Sequence, residues 1–137
     1  VFWRLSIKPG RPMAGGIRSG KPVMCVPGNP VAAFVCYRLA AAPVLDRMAG
    51  GNARPLLRPR VKCGFDHKKS AGRAEYLRVK VTTNAAGEPE MHLHGRKGAG
   101  VLSSLTGANG LVEIPVENTG VAVGDYLPFI PFRESGL

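Results

Sequence analysis

One stretch of this chain has the length and spacing of a helix, and its limits are marked at both ends. Pro27-Gly28-Asn29-Pro30 supplies a turn, an N-cap asparagine and a proline at the first helical position. Val31, Phe34, Val35, Leu39, Ala42, Leu45 and Met48 then recur at helical spacing, which predicts one wide apolar face over residues 30–49. Pro43 falls inside the pattern and should kink the helix or divide it; Gly50-Gly51 ends it. With 18 glycines and 12 prolines in 137 residues, most of the remainder is broken into short runs of strand length.

Before the helix, Val1 to Ile7 is β-branched and aromatic and reads as a strand. Arg11 to Lys21 carries Gly15, Gly16 and Gly20 and reads as turn or hairpin. Val23 to Val26 is a continuous apolar run, as expected of a strand covered on both faces. After the helix, glycine, asparagine and proline dominate residues 50–59 and predict a domain boundary. Beyond it Arg60–Phe65, Glu75–Thr83, Glu90–His94, Val101–Leu105, Leu111–Pro115 and Asp125–Ile130 read as short strands, with Asn84-Ala85-Ala86-Gly87 as a hairpin turn. The expected fold class is α/β followed by all-β. Residues 1–52 form the C-terminal portion of an α/β domain, and residues 58–137 form a small β-barrel or β-clip. Two or three strands and one helix cannot close an α/β domain, so either another chain covers its open surfaces or, as expected here, the rest of that domain lies upstream in a longer protein.

The formal charge of +10 points to anionic partners: nucleic acid, acidic lipid, or small phosphorylated and oxyanionic ligands. No run approaches the roughly 20 apolar residues needed to span a bilayer. Cys25, Cys36 and Cys63 are odd in number and widely spaced, which argues against a disulfide framework or a zinc site and fits a reducing cytoplasm. Cys25 and Cys36 lie in apolar runs and are expected to be buried. The carboxylates are scattered, and His92 and His94 have no third ligand nearby, so neither an acid–base pair nor a metal cluster is legible.

The chain does carry anion-binding parts. Lys8-Pro9-Gly10-Arg11-Pro12 and Pro27-Gly28-Asn29-Pro30 each follow a strand-like run, which places both turns at the carboxyl edge of a sheet, where ligands bind in open α/β folds. Arg4 alternates with Ser6 and Lys8 on the same strand face. The helix adds its free N–H groups, and Arg78, in mid-strand, is able to clamp phosphate. Residues 95–100 read equally as an anion nest or a plain turn. Most of the basic residues between Arg58 and Lys80 read as solvated loop charges. A nucleic-acid-binding module and a scaffold remain alternatives, although Phe65 and Tyr76 are nearly alone among the basic residues as aromatics for base stacking.

These segments, in this order, resemble the molybdopterin molybdenumtransferase family, the MoeA-like proteins and the gephyrin E domain. The resemblance rests on FW with a basic residue, IKPGRP, PGNPVAAF, Gly72-Arg73 with Glu75-Tyr76-Leu77-Arg78, GAGVLSSL, Ala108-Asn109-Gly110-Leu111 and Gly124-Asp125. It implies the last third of a longer transferase of molybdenum cofactor biosynthesis, which inserts molybdate into adenylyl-molybdopterin and releases AMP with magnesium or zinc. It also implies a cytoplasmic homodimer. By position, Lys8 corresponds to a functional lysine and Arg4 stands where many members have another. Pro27 and Pro30 correspond to prolines that shape the site loop, and Arg78 to a basic residue of the cleft. The anion-binding set is therefore Lys8 and Arg4 as catalytic cations, with Arg11, Pro27, Gly28, Asn29, Pro30 and Arg78 binding substrate. Ala99 departs from a serine common in the family and receives no role. The metal and catalytic carboxylates of the family have no counterpart here, so the isolated chain is expected not to catalyse the transfer.

Overall fold

The structure, a computed structural model, describes residues 5–52, 55–95 and 103–133. Its strands are β1 (Ile7–Lys8), β2 (Ala14–Arg18), β3 (Lys21–Cys25), β4 (Arg60–Cys63), β5 (His67–Lys68), β6 (Ala74–Thr83), β7 (Pro89–Leu93), β8 (Gly110–Ile114), β9 (Gly120–Val121) and β10 (Tyr126–Pro131). The long strand β6 pairs with β8 over Glu75–Val79 and with β7 over Val79–Thr83. It thereby joins both ends of the order β6-β7-β4-β10-β8 and closes a five-stranded barrel. Closure leaves these strands without open edges. Alternation along β6 sends Leu77, Val79 and Val81 inward, where they meet Val61, Cys63, Phe65, Met91, Val112, Ile114, Leu127 and Phe129.

Outside the barrel the opposite face of β6 makes a second core. Ala74 and Tyr76 pack with Leu111, Ile130 and Val35 of the helix, flanked by Ile7, Leu39, Leu56 and Phe132. Phe34 meets Phe132 edge to face, with centroids 5.0 Å apart. The segments before and after residues 50–59 therefore pack against each other in one core.

The helix runs as α1 (Pro30–Cys36), a π-helical turn (Tyr37–Ala41) and α2 (Ala42–Met48). Asn29 Oδ1 accepts from the N–H groups of Val31 and Ala32 at 3.0 and 3.2 Å, the cap read from the sequence. Pro43 falls in the first turn of α2, directly after the π-helical turn that divides the run. Its ring would collide with the Leu39 carbonyl in a regular α-turn, and the wider turn, in which Ala42 N–H bonds Tyr37 O, makes room for it.

Several expectations are corrected. No parallel α/β sheet forms within residues 5–52: β1 pairs in parallel with β6 of the barrel, and β2 and β3 make a separate antiparallel hairpin. Val23 and Cys25 lie exposed on that hairpin, followed by exposed Val26, rather than covered, and Cys36 and Cys63 are the buried thiols. The distal helical face is also open, with Leu45 51% and Met48 61% exposed. Of Val101–Leu105, expected to be a strand, residues 103–105 lie instead in a helical turn, α3 (Ser103–Thr106), while Val101 and Leu102 lie outside the described residues.

Candidate anion-binding site

Parallel pairing of β1 with β6 sets Lys8 directly beside Glu75. The chain reaches Glu75 from Lys68 at the end of β5 through a loop, residues 69–73, that is tied down twice. Lys69 N–H bonds Thr119 O at 3.2 Å, and Gly72 N–H bonds Val116 O at 3.1 Å. Lys69 is a buried lysine whose ammonium donates to the carbonyls of Ser70, Val116 and Asn118 at 3.1, 3.2 and 2.9 Å. A desolvated ammonium is tolerable only with such partners, and here it fixes the loop. Lys8, Lys68, Lys69, Ser70, Ala71, Arg73 and Glu75 together line a cavity of about 350 Å³.

The cavity holds four basic side chains and one carboxylate. Glu75, buried, places Oε1 3.1 Å from His67 Nε2 and 3.9 Å from Lys8 Nζ. The Lys8 side chain is 60% exposed, so its long ion pair adds little to stability, and its ammonium is able to turn between Glu75 and a ligand. Lys68 and Arg73 have no ion pair with another described residue. Convergent ammonium and guanidinium groups of this kind bind phosphate and other oxyanions.

Of the residues expected to form the site, Lys8 lines this cavity, whereas Arg11, Pro27, Gly28, Asn29, Pro30 and Arg78 do not. Arg4 and Ala99, with the segment 96–100, lie outside the described residues. The two turns end strands of different sheets and share no common edge. Gly10 instead rests against Cys36, two helical turns beyond Asn29, with Cys36 Sγ 3.5 Å from Gly10 O. Arg78 is opposite Leu111 on β6, on the face of Tyr76 and not that of Glu75. Lys68, Lys69, Arg73, His67 and Glu75 were missed as site residues. Their one sequence signal was the density of basic residues from Arg58 to Lys80.

A second polar cluster joins Tyr76, Glu113 and Arg58. Tyr76 donates its hydroxyl to Glu113 Oε2 at 2.6 Å, and Arg58 pairs with the same oxygen. Burial and the Glu113 bond push the Tyr76 phenol well above its usual range. Burial, with Asp125 assisting, pushes the Cys63 thiol up to about 11. No group of three His, Cys, Asp or Glu among the described residues is placed to hold a metal ion. The cavity's donor set, with one carboxylate already engaged, does not fit a magnesium or zinc ion. No helix of the described residues is long and apolar enough to cross a membrane.

Fold and site define a small closed β-barrel with a helix on its flank and a basic, oxyanion-type cavity where the N-terminal segment meets it. Residues 60–132 match the family described as the MoeA C-terminal region (domain IV). The chain belongs to the MoeA family. It is 27% identical to a molybdopterin molybdenumtransferase of Haemophilus influenzae over 96% of this chain and 33% of that protein. It is 32% identical to molybdopterin molybdenumtransferase 2 of Mycobacterium tuberculosis, over 92% of this chain and 30% of that one. Among solved structures, a molybdopterin biosynthesis MoeA protein of Pyrococcus horikoshii superposes with a TM-score of 0.75 at 27% identity, covering 96% of this chain and 32% of that one. The chain spans about a third of the length of these relatives.

Proposed function

We propose that this chain serves molybdenum cofactor biosynthesis as part of a molybdopterin molybdenumtransferase that inserts molybdate into adenylyl-molybdopterin and releases AMP. The observation that carries this reading is the meeting of Lys8 with Lys68 and Arg73 around one cavity, in a chain whose relatives bear that name. Molybdate and the phosphates of the pterin substrate are oxyanions, and a cluster of fixed cations stabilises both their binding and the charge that moves during transfer. At about 350 Å³ the cavity is at the small end of ligand sites, suited to an oxyanion with part of its hydration. Lys8, with Arg4 upstream of it, holds the transferred oxyanion in this reading. Arg11, residues 27–30 and Arg78, which do not line the cavity, serve the larger substrate in this reading.

The protein works in the cytoplasm as a homodimer, and the magnesium or zinc of the reaction is held by residues outside this chain. Nucleic acid has less support as a partner, because the cavity lining carries no aromatic side chain on which a base could stack. Complementation tests the reading. In a strain lacking molybdenum insertion, the full reading frame should restore molybdoenzyme activity, and Lys8→Ala or Arg73→Ala should reduce the rescue at least about tenfold. Rescue by both variants at the wild-type level, with equal protein abundance, overturns it.

A further inference from the structure

We infer that Glu75 is the built-in counter-anion of the basic cavity and that His67 decides how strongly it competes with the ligand. The inference rests on the cavity being an oxyanion site. The geometry is a relay of three groups on three strands: His67 of β5, Glu75 of β6 and Lys8 of β1. One carboxylate oxygen, Glu75 Oε1, faces both neighbours, at 3.1 Å from His67 Nε2 and 3.9 Å from Lys8 Nζ. Glu75 is buried and cannot swing into solvent, whereas Lys8 can.

With His67 neutral, the charge of Glu75 is balanced chiefly by Lys8, which holds that ammonium back from an incoming anion. Protonated His67 supplies the counter-charge itself. Lys8 is then released to the ligand, and the cavity gains a net positive charge. Affinity for a dianion is therefore higher in acid, where an imidazole beside Glu75 is cationic, than in alkali, where it is neutral. The other charges facing the relay are Lys68 and Arg73, and Lys69, whose ammonium is bound to three carbonyls. Across the sheet, His67 faces Val121 and Glu75 faces Ile114, neither of which titrates. Asp66, the residue before His67, turns Oδ1 to the N–H of Val123 at 3.0 Å. Glu75 is thus a positioning residue for Lys8, and it tunes the site against anions that cannot outcompete a carboxylate.

The test uses the full chain and sulfate, a dianion that does not titrate near neutrality, followed by calorimetry at low fixed ionic strength. Wild type should bind sulfate roughly three- to tenfold more tightly at about pH 5.5 than at about pH 8. Glu75→Gln keeps the shape and removes the charge, so it should bind about tenfold more tightly at about pH 8 and lose most of the pH dependence. His67→Gln should bind at the wild-type high-pH affinity throughout. Thermal melts of both variants establish that they are folded, and a pH profile is not moved by a purely structural role. Sulfate binding with an unchanged pH profile in both folded variants overturns the inference and leaves the anion site standing. Absence of sulfate binding to wild type at either pH overturns the anion site and the inference together.

Discussion

Replacing Gly10 by alanine tests whether the KPG turn is seated on the helix as the structure has it. Two costs add. Gly10 has φ +114°, where an L-residue is strained by about 1–3 kcal/mol. An added Cβ would also stand 2.6 Å from Cys36 Sγ and 3.1 Å from Ile7 Cδ1. Cys36 is fully buried on α1, so its sulfur has nowhere to turn, and overpacking of this kind costs about 1–3 kcal/mol. The sum, about 2–6 kcal/mol, is a large share of the total stability of an ordinary domain. Gly20→Ala is the control: its φ is +73°, but nothing lies within 4 Å, so only the backbone term of about 1–2 kcal/mol applies. Urea unfolding of Gly10→Ala, Cys36→Ala and the double variant isolates the contact. Removing Sγ should recover about 1–2 kcal/mol of the Gly10→Ala cost. Equal losses in Gly10→Ala and Gly20→Ala, together with no coupling to Cys36, would refute the packing of this turn on α1.

Further predictions concern the cap, the buried ammonium and the thiols. Asn29→Ala removes the acceptor for two first-turn N–H groups and should cost about 1 kcal/mol in thermal unfolding; no change would mean that water caps the helix as well. Lys69→Met leaves three carbonyls without their ammonium and should cost about 1–3 kcal/mol, with faster proteolysis in residues 69–73. A thiol reagent should modify Cys25 in the native protein and reach Cys36 and Cys63 only after denaturation; three rapid native reactions would contradict their burial. An unfolded thiol ionises near 9, whereas Cys63 keeps its proton to about 11. The native state therefore holds the extra proton between those values, and stability falls by about 2–3 kcal/mol as pH rises through them. Cys63→Ala should lessen that slope, leaving the falls that belong to Cys36, whose thiol is also pushed up by burial, and to Tyr76 above about pH 10.

What was legible in the sequence was local. Asn29 and Pro30 mark a helix start through chemistry confined to one turn, and Asn84–Gly87 marks a hairpin for the same reason. The alternation of Leu77, Val79 and Val81 told which side of β6 faces the barrel, and family resemblance supplied the architecture around it. The cavity was not legible, because Lys8 reaches Arg73 and Lys68 only through a two-residue parallel pairing between distant segments. The β5–β9 pair is equally short and leaves no period to read. An apolar run such as Val23–Val26 signals a strand but not what covers it, and so Cys25 was placed inside when it stands exposed. Arg78 does not line the cavity, because strand alternation turns it to the face of β6 opposite to that of Glu75.

Molybdate titration of the full chain at low salt, by calorimetry, tests the central claim that Lys8, Lys68 and Arg73 form one oxyanion site. Wild type should bind saturably, with Lys8→Met and Arg73→Met each weakening the affinity about tenfold or more. Lys21→Met, on the exposed hairpin, should change it less than about twofold. Equal weakening by all three variants would mean that the overall charge attracts the anion, and unchanged affinity in Lys8→Met and Arg73→Met would place the molybdate elsewhere.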